Sequence, residues 1–228
     1  MTQHISARFI DGSATRTGEL VVKRLIIAGW TGRDPAAVEH HIRELEALGV
    51  KRPASTPIFY RVAAARLTQV AMIEASGSQS GGEVEFVIVN HDGELWVGVG
   101  SDHTDREVET YGVTVSKQMC DKPVARDFWR FSDVAGHWDK MILRSWVEED
   151  GARKIYQEGH VAAMLDPRDL LKRFAPDNLG AGNAMFCGTL AAKGGVRPTS
   201  SFAFELEDPV LGRKIDHAYR VEILPVLG

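Results

Sequence analysis

The dipeptide Asp92-Gly93 restricts the fold of this sequence more than any other feature, because it separates two strand-like runs. The runs cover residues 83–90 and 94–102. Asp-Gly between two such runs is a strong signal for a β-hairpin with a two-residue loop. In that register, residues opposite each other have numbers that add up to 185. The sequence therefore predicts not only a hairpin but also its cross-strand partners.

This register brings three acidic residues to one face. Glu83 falls opposite Asp102, and Glu85 shares their face because it lies two residues along the strand. Gly98 and Gly100 are predicted to leave space over the acids. Three like charges repel, and a hard cation with oxygen ligands is the simplest compensation. The apolar residues of the other face are predicted to be buried: Val84, Phe86, Ile88, Leu95, Val97 and Val99.

Two alternatives stay open for this acid cluster. The glutamates of a Glu-x-Glu pattern can simply face water at a solvated edge. A β-bulge at either glycine would shift the register by one residue and separate the acids. If the cluster forms, Mg²⁺ or Mn²⁺ is the expected ion, and Ca²⁺ is a further candidate.

The rest of the chain predicts a β-rich α+β fold with a few short helices. Residues 19–28 read as one strand, and Asp34-Pro35 opens a helix that is expected to end at Gly49. Residues 141–147 and 154–163 form a second β pair, and a short helix covers 166–174. Residues 184–227 alternate short strands with turns.

Length and charge limit the domain organisation and the classes of function that this chain can have. The chain has 228 residues and no evident linker, so we predict one domain, with N-terminal strands and a helix in 1–52 and a β-roll in 53–228. The net charge of −4 without a basic stripe argues against nucleic acid. No apolar run reaches the roughly 20 residues that span a bilayer. Two cysteines form no disulfide framework, so we expect a cytoplasmic protein.

Two segments of the hairpin resemble the fumarylacetoacetate hydrolase (FAH) superfamily. GEVEFVIV at residues 82–89 is similar to the family pattern E-x-E-[LF]-x-x-V-I, and SDHTDRE at 101–107 to N-D-x-T-x-R-[DE]. The resemblance implies an FAH-like mixed β-sandwich roll. It also implies that Glu83, Glu85 and Asp102 bind a divalent metal, the same three acids that the hairpin register groups.

Weaker matches follow in the family's order. SKQMCD at 116–121 resembles Gly-Lys-x-x-Asp, with Lys117 in the lysine position. Gln157 follows Asp150-Gly151 as in N-G-x-x-x-Q, and residues 188–196 are similar to G-T-P-x-G-V-G, although Leu190 replaces the proline. The resemblance covers roughly residues 57–211. It implies that Gln157, Gly188 and Thr189 contact the substrate.

Three residues are candidate catalytic groups. Lys117 would hold an anionic substrate oxygen, and Thr104 would orient a ligand by a hydrogen bond. His103 neighbours the metal-ligand candidate, although its side chain should point to the opposite face. The general base is not identified, and His40 or His41 on a lid helix is one option. Arg33 is a further candidate for a substrate carboxylate.

The expected function is a metal-dependent hydrolase that cleaves a C–C bond in a 2-oxo acid or β-dicarbonyl through an enolate. A decarboxylase or a keto-enol isomerase could use the same site. Two other classes stay open, a metal-binding protein without turnover and a metal-free enzyme that uses Cys120. The expected partners are a small anionic substrate and a second copy of the chain. Phe128, Trp129 and Trp138 could serve the dimer interface, although core packing explains them equally well.

Overall fold

A computed structural model describes residues 2–47, 51–175 and 179–227. It contains an eight-stranded sheet of order β2-β1-β12-β9-β8-β15-β3-β4 and a five-stranded sheet of order β14-β13-β16-β17-β6. The strands are β1 Gln3–Asp11, β2 Ala14–Val22, β3 Arg24–Gly29, β4 Ile58–Val62, β5 Leu67–Thr68, β6 Met72–Ser76, β7 Ser80–Gly81, β8 Val84–His91, β9 Glu94–Ser101, β10 Thr104–Asp105, β11 Lys122–Pro123, β12 Asp127–Arg130, β13 Ile142–Glu149, β14 Ala152–His160, β15 Asn183–Thr189, β16 Ser201–Asp208 and β17 Arg213–Leu224.

The helices are short and lie between the strands. They are α1 Pro35–Ala47, α2 Arg106–Tyr111, α3 Val113–Met119, α4 Phe131–Val134 and α5 Pro167–Phe174. The predicted α+β class, mainly β with a few short helices, is confirmed. In the part of the chain that the structure describes, no helix is long and apolar enough to cross a membrane.

The central hairpin of β8 and β9 has the predicted register. Its partners run from His91 opposite Glu94 to Val84 opposite Ser101, so every pair adds up to 185. Asp92 and Gly93 both have positive φ angles, of 54° and 85°, as a tight two-residue hairpin turn requires. No bulge interrupts the ladder, so the acids stay in register.

Both faces of this hairpin are buried. The face with Phe86 and Val97 packs in the core beside the five-stranded sheet, as predicted. The face that carries Glu85 also carries Val87 and Trp96, which pack in a second core on the other side. The prediction that Gly98 and Gly100 leave space over the acids is wrong. A Cβ at Gly98 would meet the Phe128 ring at 2.7 Å, and one at Gly100 would meet the Phe186 ring at 2.6 Å, because aromatic rings of neighbouring strands fill that space.

The N-terminal region differs from its prediction. The single strand expected over 19–28 is two strands, β2 and β3, which break at Lys23. β2 lies at one edge of the eight-stranded sheet, whereas β3 pairs with β15 and β4 near the other edge. One continuous strand cannot occupy both places. The Lys23 backbone N–H instead donates to the Gly182 carbonyl at 2.7 Å.

Other elements follow the sequence closely. Asp34 caps α1 by accepting from the Ala36 N–H at 2.8 Å, and Asp166 caps α5 by accepting from the Arg168 N–H at 2.8 Å. The second β pair is confirmed as β13 and β14, although residues 161–163 form a 3₁₀ turn. The predicted helix end at Gly49 lies outside the described residues.

The aromatic residues considered for a dimer interface lie in the core. Phe128, Trp129 and Trp138 are all buried. Trp138 packs edge-on against Phe86, with ring centroids 5.0 Å apart. Of the two alternatives for these side chains, a dimer interface or core packing, the structure supports core packing, because β12 and the turn after α4 pack them inward.

Candidate active site

The three acids converge at the open end of the β8–β9 hairpin. Glu83 and Asp102 lie just beyond the ladder, where the Asp102 N–H donates to the Glu83 carbonyl at 2.9 Å. One carboxylate oxygen from each of Glu83, Glu85 and Asp102 lies within 4.8 Å of the others. Glu85 and Asp102 are buried, and Glu83 is partly buried. The structure thus brings together the residues that the hairpin register grouped.

Glu85 is held by the backbone of β15. Its Oε2 accepts a hydrogen bond from the Gly188 N–H at 2.8 Å. Gly188 has a φ of 99°, and a Cβ there would lie 1.7 Å from the Thr31 hydroxyl oxygen. Thr31 in turn donates that hydroxyl to the Cys187 carbonyl at 3.0 Å. Only glycine combines this backbone angle with this close approach.

Asp102 is fully buried between two lysines. Lys117 donates a short hydrogen bond to its Oδ2. The Lys122 ammonium lies 3.3 Å from Oδ1, an ion-pair distance, and also donates to the His103 carbonyl at 2.5 Å and the Cys120 carbonyl at 3.1 Å. Oδ1 itself accepts no hydrogen bond from the described residues. This buried acceptor is therefore available to a further ligand.

Glu83 pairs with Arg106 at the more exposed side of the cluster. Arg106 Nη1 lies 3.3 Å from Glu83 Oε1 and donates to Glu109 Oε2 at 3.1 Å. Arg106 Nη2 donates to the Gly81 carbonyl at 3.1 Å. The Arg106 guanidinium therefore joins Glu83 to Glu109.

The pKa shifts follow this geometry. Burial raises the pKa of Glu83, and burial together with the charge of Asp102 raises the pKa of Glu85 well above its ordinary value. Burial also opposes ionisation of Asp102, but Lys117 and Lys122 hold its pKa below the usual range. Burial would lower the pKa of Lys117, yet Asp102 and Glu83 raise it. An ionised Asp102–Lys117 pair is the result.

The sequence predicted that a positive charge compensates the acids, with a metal ion as the simplest candidate, and the structure shows that basic side chains supply part of it. Lys117, Lys122 and Arg106 already offset Asp102 and Glu83. The donor set nevertheless fits a hard cation, because three carboxylates converge and the buried Asp102 Oδ1 lacks a donor among the described residues. A cation would also favour the ionised forms of the two glutamates.

Gln157 and Thr189 brace the cluster from β14 and β15. Gln157 Oε1 accepts from the Val84 N–H and the Ser145 hydroxyl, both at 2.9 Å. Its Nε2 donates to Thr189 Oγ1 at 2.7 Å and to the Leu190 carbonyl at 2.6 Å. Thr189 donates to the Val84 carbonyl at 2.7 Å. These bonds fix the backbone at Val84, between Glu83 and Glu85.

The sequence of this chain matches the profile of a known family. The profile of a family described as "Protein of unknown function (DUF2848)" matches residues 28–219. The chain belongs to the DUF2848 family. A comparison with curated proteins finds no match for its sequence. The match begins at residue 28, so the family includes much of the N-terminal region that the FAH motifs did not cover.

Solved structures show that this DUF2848 chain has the FAH fold. A fumarylpyruvate hydrolase from Pseudomonas aeruginosa in complex with Mn²⁺ and pyruvate is 17% identical, with a TM-score of 0.63 over 96% of this chain and 97% of that chain. A fumarylacetoacetate hydrolase family protein from yeast is 16% identical, with a TM-score of 0.63 over 91% of this chain and 96% of that chain.

A third structure with this fold is an isomerase. The 5-carboxymethyl-2-hydroxymuconate delta-isomerase from Mycobacterium smegmatis is 15% identical, with a TM-score of 0.61 over 92% of this chain and 84% of that chain. The DUF2848 chain thus has the fold that its motifs suggested, the fold of FAH-family structures.

His103 and Thr104 lie beside Asp102 but face differently. His103 is buried, and its Nδ1 lies 2.8 Å from the Tyr219 hydroxyl of the five-stranded sheet, consistent with the expected opposite face. Burial and the charges of Lys122 and Arg106 lower its pKa to about 3, so the ring is neutral. The Thr104 hydroxyl donates to the Asp102 carbonyl at 3.1 Å. The catalytic role given to each of these residues stays a prediction.

The surroundings of two other candidates, Cys120 and Arg33, oppose the roles predicted for them. Cys120 is buried, and burial raises the pKa of its thiol, which opposes a nucleophilic thiolate. Arg33 forms two hydrogen bonds with Asp139, both at 2.8 Å, and its Nε donates to the Met164 carbonyl at 3.0 Å. Its guanidinium is therefore already committed to a carboxylate of the protein.

Sequence reasoning missed Lys122, Glu109 and Thr31. Lys122 follows directly on the lysine motif, so its charge was visible, but its burial was not. Glu109 lies three residues after Arg106, which is a helical spacing once α2 is known. No pattern in the sequence links Thr31 to Gly188, because only the packing of β3 beside β15 brings them together.

Proposed function

We propose that this DUF2848 chain is a divalent-metal-dependent hydrolase that cleaves a C–C bond in a 2-oxo acid or β-dicarbonyl compound. The observation that carries the proposal is the convergence of Glu83, Glu85 and Asp102 beside the buried Lys117. The FAH fold supports it, since a fumarylpyruvate hydrolase with this fold holds Mn²⁺ and pyruvate.

Glu83, Glu85 and Asp102 would hold the ion through carboxylate oxygens. Mg²⁺ or Mn²⁺ suits this donor set, and Ca²⁺ is a further candidate. Such an ion supplies a Lewis acid that polarises a carbonyl oxygen. The raised pKa values of Glu83 and Glu85 make the two glutamates weaker acids in the free site, so cation binding is expected to release protons.

Lys117 would hold the negative oxygen of the substrate. Its ammonium is buried against Asp102 and lies 5.9 Å from the centre of the Tyr60 ring. In such a low-dielectric position a fixed positive charge stabilises a developing enolate more strongly than it would in water. Thr104 would act less directly, by holding the Asp102 backbone.

Gln157, Gly188 and Thr189 were predicted to contact the substrate, but their hydrogen-bonding groups contact the protein itself. The Gly188 N–H donates to Glu85, and the Thr189 hydroxyl donates to the Val84 carbonyl. Both hydrogen-bonding ends of Gln157 contact protein groups. We assign these residues to the wall of the site, where they position the glutamates. We give His103 a supporting position behind Asp102, not a place in proton transfer.

A keto-enol isomerase is the second candidate. It is favoured by the M. smegmatis isomerase, which has the same fold. Isomerisation, decarboxylation and hydrolysis share an enolate, so Lys117 would serve all three. A metal-binding protein without turnover would keep the acids but show no reaction with any substrate.

We also propose a cellular compartment and binding partners for the enzyme. Two free cysteines, Cys120 and Cys187, suit a reducing compartment such as the cytoplasm. The partners we propose are a small anionic substrate and a second copy of the chain, not nucleic acid or membrane.

The test is cleavage of acylpyruvates, which are 2,4-dioxo acids, by the purified protein with and without Mn²⁺. We expect metal-dependent turnover that falls at least about 100-fold in Glu85→Gln, the size of effect typical for losing a key electrostatic group. Glu94→Gln is the matched control, because Glu94 lies on the same hairpin at its exposed turn end. Full turnover after chelation, or equal loss in both variants, would contradict the proposal.

A further inference from the structure

Glu109 lies at the rim of the acid cluster and is not one of its three converging carboxylates. It is on α2, where its Oε2 accepts from Arg106 Nη1 at 3.1 Å. The same nitrogen lies 3.3 Å from Glu83 Oε1, so one guanidinium joins Glu109 to a proposed metal ligand. The Glu109 side chain is 28% exposed, whereas that of Asp102 is fully buried. This carboxylate therefore faces both the site and the solvent.

Glu109 is also close to the group proposed to hold the substrate. After Asp102 and Glu83, its negative charge is the next that raises the pKa of Lys117. It acts on the Tyr60 hydroxyl as well. Glu109 is thus joined to Glu83 through Arg106, and its charge acts on Lys117.

The other titratable groups of the cluster have different places in the site. His103 contacts Tyr219 on the far side of Asp102. Glu83, Glu85 and Asp102 would be ligands of the ion. Of the two carboxylates that Arg106 contacts among the described residues, Glu109 is the one that is not a proposed ligand of the ion.

We propose that Glu109 is the general base of this enzyme, a role that rests on the proposed function. Its carboxylate removes a proton from C3 of the 2-oxo acid, and the C–H electron pair forms the enolate whose oxygen faces Lys117. In C–C hydrolysis Glu109 first takes a proton from the water that adds to the distal carbonyl. The C–C bond then breaks, its electron pair stays on the 2-oxo acid fragment as the enolate, and Glu109 returns the proton to C3. The products are a carboxylic acid and a 2-oxo acid.

Pyruvate in D₂O tests the proton-transfer step alone. An enzyme that protonates the enolate at C3 must also remove that proton, so wild-type protein with Mg²⁺ exchanges the methyl hydrogens of pyruvate for deuterium. The exchange is followed by proton NMR. We expect it to fall at least about 100-fold in Glu109→Gln, the lower range for loss of a general base. Glu107→Gln, an exposed neighbour on α2, keeps the wild-type rate.

Binding measurements separate the outcomes. Mn²⁺ affinity by electron paramagnetic resonance and pyruvate affinity by calorimetry stay unchanged in Glu109→Gln, because glutamine still accepts from Arg106. Glu109→Asp, which keeps a carboxylate at shorter reach, retains measurable exchange. Wild-type exchange in Glu109→Gln overturns the assignment. So does the absence of exchange in a wild-type protein that cleaves acylpyruvates. A wild type that neither binds Mn²⁺ nor cleaves acylpyruvates overturns the proposed function, and the assignment with it.

Discussion

Two clusters of acidic and basic side chains in this protein have similar composition and opposite surroundings. The inner cluster lies at the end of the central hairpin and consists of Glu83, Glu85, Asp102, Lys117 and Lys122. The outer cluster lies on the exposed face of the five-stranded sheet and consists of Arg144, Glu158, Glu205, Glu207 and Lys193. The charges are largely removed from water in the first cluster. In the second most of them remain partly hydrated, and Glu205, with 11% of its side chain exposed, is the exception.

The outer cluster follows simple cross-strand pairing. Arg144 lies opposite Glu158 on one side and Glu205 on the other, at 3.0 and 2.9 Å. The Arg144 side chain is 22% exposed and that of Glu158 is 36% exposed, so water screens the pair. In the inner cluster Asp102 and Lys122 have no exposed side-chain surface. The difference teaches that burial, not the number of ion pairs, decides what a charge does to stability and reactivity.

The largest effect is expected from removing the buried lysine. Lys122→Met leaves Asp102 with one fewer cation in a dry environment, and should lower the free energy of unfolding by about 3–5 kcal/mol. Urea denaturation measures it. The double variant Lys122→Met with Asp102→Asn should recover part of the loss, because the uncompensated charge is gone. A single variant as stable as wild type would show that the inner charges are not coupled to folding.

Alanine substitutions at two glycines would compare how tightly the two regions are packed. Gly188 in the inner region and Gly212 beside β17 both have positive φ angles, of 99° and 62°. A Cβ at Gly188 would meet the Thr31 hydroxyl, whereas one at Gly212 meets nothing within 4 Å. Gly188→Ala should cost about 2–4 kcal/mol and Gly212→Ala about 1 kcal/mol, since only the first adds overpacking to backbone strain. Equal shifts in the urea midpoint would remove the distinction.

The smallest effects are expected from pH, and their signs are opposite in the two clusters. Burial raises the folded pKa of Glu85, so its ionisation destabilises the metal-free protein as pH rises above the ordinary glutamate range. Glu85→Gln should therefore make the metal-free protein more stable at neutral pH. Lys193 and Arg144 lower the pKa of Glu158, so its contribution is present above the ordinary range and is lost as pH falls through the lowered value.

The measurement for this pair is the thermal midpoint of chelated protein between pH 4 and 8, with Glu158→Gln as the partner variant. Glu158→Gln should produce only a slight destabilisation at neutral pH that salt removes. A Glu85→Gln variant that is less stable than wild type at neutral pH would mean that the inner carboxylate is stabilised by its contacts despite burial.

Much of the site could be predicted because it depends on one local feature, a two-residue hairpin turn. The Asp92-Gly93 turn sets the register, and strand alternation then fixes which side chains share a face. The helix caps at Asp34 and Asp166 are equally local. The single strand expected over 19–28 failed for the converse reason, because the break at Lys23 depends on which sheet edge each half joins.

The sequence by itself determined that three acids meet at the end of a hairpin, since a two-residue turn and a two-residue side-chain period leave one arrangement. Only the tertiary structure decided how those acids are compensated and held. The second lysine, the Gly188 N–H and the Thr31 hydroxyl come from segments far apart in the chain. Their approach depends on packing that buries both faces of the hairpin, and no local pattern of residues encodes such contacts.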